Sequence, residues 1–260
     1  SSKENFERIY DLENFLNSKS PKLVFLTLPS GRVTFNMLKK MRPIVSKKDI
    51  ILDMSNSMFR DSIMMEKKYR HEGKSYVDVG ISGGVDGAKR GASLMVGNKK
   101  KVSKNLAKLL ETICAKNQNR PCIGYYESAG SGHLVKMLHN LLEYAEMQLI
   151  AETLTCLNSL YHLKHKSVLS FLQKLRLEDK KSYLLKITEK IYKDQLIDEN
   201  YPENSLVKHN GTAKWAVQLA LEIESITPSF FSAVSERIVL SQKPVNPIDS
   251  TTKFKSSHSN

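Results

Sequence analysis

The stretch Leu23–Met54, LVFLTLPSGRVTFNMLKKMRPIVSKKDIILDM, decides how this chain is built. Leu23–Leu28 is a short apolar run of the kind that forms a strand buried on both faces. Pro29-Ser30-Gly31 is a turn signal, Val33–Met41 carries apolar residues at helical spacing, and Asp49–Met54 is a second apolar run. Strand, helix and strand in that order make a unit with two parallel strands.

The same alternation continues outward. Upstream, Phe6, Ile9, Leu12 and Leu16 repeat at helical spacing and Ser20-Pro21 ends the segment. Downstream, the pattern predicts a helix over Met58–Glu72, strands over Tyr76–Ile81 and Ala92–Val96, a basic helix over Lys99–Lys116 and a strand over Cys122–Tyr126. Together these read as α/β: a doubly wound, Rossmann-like unit with a mostly parallel sheet. Past Ser131 the strand patterns stop, and helical patterns run through Leu160, then over Val168–Leu175, Tyr183–Tyr192, Lys214–Ile223 and Phe230–Leu240. The reading is therefore an α/β domain at 1–128, an all-α domain at 129–243 and, at 244–260, a tail rich in Ser, Thr, Pro and Lys that is expected to be disordered.

A chain of 260 residues can bury one sizeable core or two modest ones. No apolar run approaches the ~20 residues of a membrane span, so no membrane partner is expected. Ser1–Ser20 mixes acidic and basic residues unlike a signal or transit peptide, so a cytoplasmic setting is expected. Cys114, Cys122 and Cys156 lack metal-site spacing, so neither a disulfide framework nor a metal is expected. The net charge of +13 invites anionic partners. Its densest run, Lys99–Lys101 with Lys104 and Lys108, has no interleaved aromatics and reads as a solvated helix face, which speaks against nucleic acid.

One segment carries chemistry. In Gly132–Tyr144, residues Lys136, His139, Asn140, Glu143 and Tyr144 fall at i, i+3, i+4, i+7 and i+8, on one helix face. Leu134, Met137, Leu138, Leu141 and Leu142 fall largely off that stripe. Acid, base and hydrogen-bond donors can share such a face. Spacing alone is better satisfied by a solvent-exposed polar stripe.

Four motifs in order point further. Asp49–Ser57 (DIILDMSNS) resembles the DIIIDGGNS of 6-phosphogluconate dehydrogenases. Gly80–Met95 (GISGGVDGAKRGASLM) resembles that family's glycine-rich substrate motif, and Gly130–Leu149 (GSGHLVKMLHNLLEYAEMQL) its catalytic helix. Gly211–Trp215 (GTAKW) resembles GTGKW, with Arg237 at a matching distance. The similarity runs from about Leu12 to Lys243.

The resemblance implies oxidation of C3 of 6-phosphogluconate by hydride transfer to NADP, loss of CO2 and protonation of the resulting enediol at C1. It assigns Lys136 as the base that becomes an acid, and Glu143 as the group that protonates C1. Asn56, Ser82, Gly83, Gly84, His139 and Asn140 would bind the substrate's hydroxyls and carboxylate, with Asn56 also facing the cofactor. Tyr144, Lys214 and Arg237 would hold the 6-phosphate. The departures are specific. Leu23–Leu28 corresponds to the fourth strand of the family's sheet, so the family's glycine-rich pyrophosphate turn has no counterpart. Met54-Ser55 stand where the family has two glycines, putting side chains at a cofactor-facing turn. Weak NADP affinity is therefore expected, together with an apolar sheet edge covered by a partner chain such as the second subunit of a homodimer. An enzyme and a catalytically impaired sugar-phosphate binder both remain open.

Overall fold

The computed structural model describes residues 11–17, 21–178, 182–197, 211–225 and 227–242. The upstream part of the first helical segment and the 244–260 tail lie outside the described residues. The chain packs as two compact units divided after Asn140.

The first unit is built on the strand–helix–strand segment. β1 (Leu23–Leu26), α2 (Arg32–Met41) and β2 (Ile50–Asp53) follow α1 (Leu12–Asn17), then come α3 (Phe59–His71) and β3 (Ser75–Ser82). β1, β2 and β3 pair in parallel, with Leu23 opposite Ile50 and Ile50 opposite Ser75. β4 (Ser93–Val96) turns back antiparallel to β3, and β7 (Ile123–Tyr125) runs parallel to β4. The order β1-β2-β3-β4-β7 is thus mostly parallel, as expected. Alternate side chains leave the sheet on opposite faces: Ile51 and Tyr76 join Leu38, Met41, Met65 and Tyr69, whereas Leu52, Val77 and Val79 join Leu94, Leu106 and Leu110. Two apolar faces explain why the strands read as continuous apolar runs. Among the described residues β1 pairs with β2 alone, and Phe25 in it is 40% exposed.

The expected helix over Lys99–Lys116 is not one helix. A 3-10 turn covers Lys99–Lys101, Val102 is extended, and α5 (Lys104–Ile113) starts afresh because the Ser103 side chain accepts from the Leu106 N–H at 3.2 Å. The last residues of the expected helix instead begin a small hairpin, β5 (Lys116–Asn117) with β6 (Arg120–Pro121). Gln118 and Asn119 both have positive φ at its turn, the arrangement a two-residue hairpin loop requires. Gly83-Gly84 leads into a further short helix, α4 (Gly84–Arg90).

α6 (Ser131–Thr155) spans the division after Asn140 and ends in a π-helical turn at Cys156–Leu160. The second unit adds α7 (His165–Glu178), α8 (Tyr183–Ile197), α9 (Thr212–Glu222) and α10 (Pro228–Gln242). α7 and α8 are joined by Glu189, which takes Arg176 and Lys193, and by the stacking of His165 on Tyr192 at 4.5 Å. α9 and α10 bury small side chains, Ala213, Ala216 and Ala220 on one and Ala233 on the other, which lets the two helices pack closely.

Candidate functional site

α6 is placed by its first turn. Asp78, fully buried in the middle of β3, accepts hydrogen bonds from the main-chain N–H groups of Gly130 at 2.8 Å and His133 at 3.1 Å. These are N–H groups that a helix start leaves without internal partners, and a carboxylate suits its positive end. Glycines permit the approach. A Cβ on Gly132 would lie 2.3 Å from the Met95 carbonyl oxygen, one on Gly97 2.4 Å from Asp78 Oδ1, and one on Gly80 2.5 Å from the Cβ of Lys136. Lys136 therefore starts directly over the bare backbone of β3.

Burial along α6 inverts the usual order. Lys136 is 6% exposed and Asn140 4%, while Leu142 is 60% exposed. Lysine and asparagine are ordinarily surface residues, and a buried amine or amide must be held by polar groups. The polar stripe is not the solvated ladder that spacing alone favours.

Within the first unit the structure brings several of the sequence-derived residues together. His139 Nε2 lies 3.2 Å from Ser82 Oγ, joining α6 to the end of β3. Asn56, at φ 53°, donates from Nδ2 to the Ile81 carbonyl at 3.2 Å and accepts the Ile81 N–H at 2.9 Å. That reciprocal pair ties the turn after β2 to the residue before Ser82, so Asn56 shapes this end of the sheet. Gly83 and Gly84 follow at the exposed start of α4. A Cβ on Gly83 would stand 2.8 Å from the Gly87 Cα, whereas Gly84 faces open space.

In the second unit Glu143 and Tyr144 are half-buried on α6. The Arg237 guanidinium of α10 lies 5.1 Å from the Tyr144 ring centroid, with Nη1 3.8 Å from Met147 Sδ. A cation over an aromatic face is held in place while its donors can still serve an anion. Lys214, on α9, is exposed.

Sequence reasoning missed Asp78, His133 and Asp53. Asp78 had a readable signal, a carboxylate inside the apolar run Tyr76–Ile81, which demands a buried partner. Met54 and Ser55 do less to the neighbouring turn than expected. Met54 packs into the core with Leu52 and Val79, and the Ser55 hydroxyl links Leu28 N–H and Leu26 C=O across to β1.

Gly31, between β1 and α2, has φ 90° and nothing within 4 Å of where a Cβ would stand. Among the described residues the glycine-rich turn that joins a strand to a helix is Gly83-Gly84, between β3 and α4. Among the described residues no three His, Cys, Asp or Glu side chains gather as metal ligands.

Comparison with known proteins bears on both units. Residues 2–125 match the family model for the NAD binding domain of 6-phosphogluconate dehydrogenase, and residues 132–259 that for the C-terminal domain of the same enzyme. The chain is similar to the decarboxylating 6-phosphogluconate dehydrogenase of Buchnera aphidicola from Acyrthosiphon pisum, 31% identical over 94% of this chain and 54% of the relative. It is also similar to that of Staphylococcus aureus strain N315, at 32% identity over 95% of this chain and 55% of the relative. Among solved structures, 6-phosphogluconate dehydrogenase of Plasmodium falciparum superposes with a TM-score of 0.78 and 28% identity, over 89% of this chain and 50% of that one. A Mycobacterium tuberculosis 3-hydroxyisobutyrate dehydrogenase, 15% identical, shares the fold at a TM-score of 0.71, over 91% of this chain and 79% of that one. The chain spans about half the length of the curated relatives it matches.

Proposed function

Because this chain belongs to the 6-phosphogluconate dehydrogenase family, we propose that it binds 6-phosphogluconate and carries the proton-transfer residues of that enzyme's oxidative decarboxylation. One observation carries the reading: Lys136 and Asn140 are buried on a helix that leaves Leu142 in solvent. A surface stripe has no reason to hide its amine.

The chemistry then divides by residue. The C3 hydroxyl gives its proton to the Lys136 amine, which must be uncharged at that moment, as the C3–H bond breaks. After CO2 leaves, Glu143 supplies the proton to C1. His139, oriented by Ser82, and Asn140 hydrogen-bond the hydroxyls and carboxylate, with Gly83 and Gly84 offering main-chain N–H groups. Tyr144, Lys214 and Arg237 take the 6-phosphate. NADP is the hydride acceptor under this reading, and a second copy of the chain or another protein covers the β1 edge. A cytoplasmic location follows as part of the same proposal; no helix among the described residues is long and apolar enough to cross a membrane.

Calorimetric titration tests this directly. Wild-type protein should bind 6-phosphogluconate with a Kd below ~1 mM, and Asn140→Ala should weaken binding by about tenfold, the loss of one buried hydrogen-bonding group. No binding by the wild type at millimolar substrate would sink the proposal. A parallel NADP titration separates a dehydrogenase, which binds both, from a sugar-phosphate binder, which binds only the first.

A further inference from the structure

His133 is held from two sides. Its main-chain N–H goes to Asp78, and its ring Nδ1 lies 2.7 Å from the Ser62 hydroxyl of α3. The ring is 1% exposed and its Nε2 has no hydrogen-bond partner. The Ser62 hydroxyl donates to the Met58 carbonyl at 3.3 Å, and elsewhere in this core the Tyr76 hydroxyl donates to Asp53 Oδ2 at 2.9 Å. Ser57 donates to the same oxygen at 3.0 Å.

Direction follows from the acceptors. The Met58 carbonyl takes the proton of Ser62, and a proton on His133 Nε2 would be buried with no acceptor. The 2.7 Å contact is then completed by His133 donating from Nδ1–H. One helical turn further on, Lys136 rises over Gly80, where no side chain could fit between them.

We propose that His133 is a positioning residue: its Nδ1–H, accepted by the Ser62 hydroxyl of α3, fixes the first turn of α6 and thereby holds Lys136 buried over Gly80. The placement of Lys136 stands on geometry alone; its consequence for 6-phosphogluconate rests on the function proposed above.

Swapping single nitrogens tests it. In His133→Asn the amide nitrogen takes the place of Nδ1, and in His133→Gln that of Nε2. Lys136 exposure is read without any ligand, by acetic anhydride labelling and mass spectrometry of the full chain. His133→Gln and Ser62→Ala should raise Lys136 acetylation about fivefold, and His133→Asn should stay within about twofold of wild type. Nitrogen-15 NMR should find the His133 ring protonated at Nδ1 in the wild type, and no longer so in Ser62→Ala. Substrate titration should follow the labelling, with His133→Gln and Ser62→Ala weakened about tenfold and His133→Asn near wild type. Should His133→Gln not fold, Ser62→Ala, which removes one oxygen, carries both readouts. A ring protonated at Nε2, or His133→Gln labelling like wild type, overturns the inference. If the labelling pattern holds but wild-type protein binds no 6-phosphogluconate, the positioning stands and the functional reading fails.

Discussion

The two halves of α6 differ although one helix contains both. Up to Asn140 the helix lies against β3: its N–H groups meet Asp78, its glycine at 132 touches the Met95 carbonyl, and its lysine and asparagine are buried. From Leu141 on, Leu142 and Leu149 are 60% and 64% exposed, and the helix loosens into a π-helical turn before Tyr161, itself 71% exposed. In the first half Lys136 and Asn140 are buried while Leu138 is 42% exposed, so the sheet, not the helix's own amphipathicity, sets which face is buried there.

That contrast can be broken most severely at Gly132. Gly132→Ala must push a Cβ against the Met95 carbonyl and should cost about 3 kcal/mol, at the upper end for overpacking. Gly84→Ala, which meets nothing but sits at φ 52°, should cost about 1 kcal/mol; thermal unfolding of the two variants checks the difference. Equal losses would mean that the helix does not rest on β3.

Acid should separate the units next. Lys193, and after it Arg176, hold the Glu189 carboxyl below its ordinary 4.5, against the opposing effect of burial. A depressed carboxyl stabilises the folded state above that ordinary value, and the contribution is lost as pH falls through the lower folded value. The α7–α8 pair should therefore lose several degrees of Tm below about pH 4.5, and Glu189→Gln should remove this dependence, as followed by NMR of Val168 and Leu172. A Glu189→Gln protein with the same acid transition would reject the assignment.

The smallest effect is expected at the exposed leucines. Leu142→Gln should change stability by less than about 0.5 kcal/mol in the isolated chain. A loss several times larger would show that the second half of α6 is covered in solution.

Much of this was legible in the sequence. The run Leu23–Met54 specified strand, helix and strand because its apolar residues change period from continuous to helical and back. The motif at Lys136–Tyr144 named the residues of the candidate site by resemblance. The break at Val102-Ser103 was hidden because basic and apolar residues keep a helical pattern on both sides of it, and only the serine's hydrogen bond to Leu106 reveals the restart. The Gln118-Asn119 hairpin was hidden because no glycine marks its positive φ angles.

The sequence by itself determined the mostly parallel α/β order and the helical second half, since these depend on local periodicity, and its contiguous motifs nominated the candidate site residues by resemblance. Tertiary structure alone decided that Lys136 is buried, that Asp78 starts the helix and that His133 is pinned to Ser62. Each of these joins residues far apart in sequence, and whether a polar group is buried or solvated depends on what the fold lays over it.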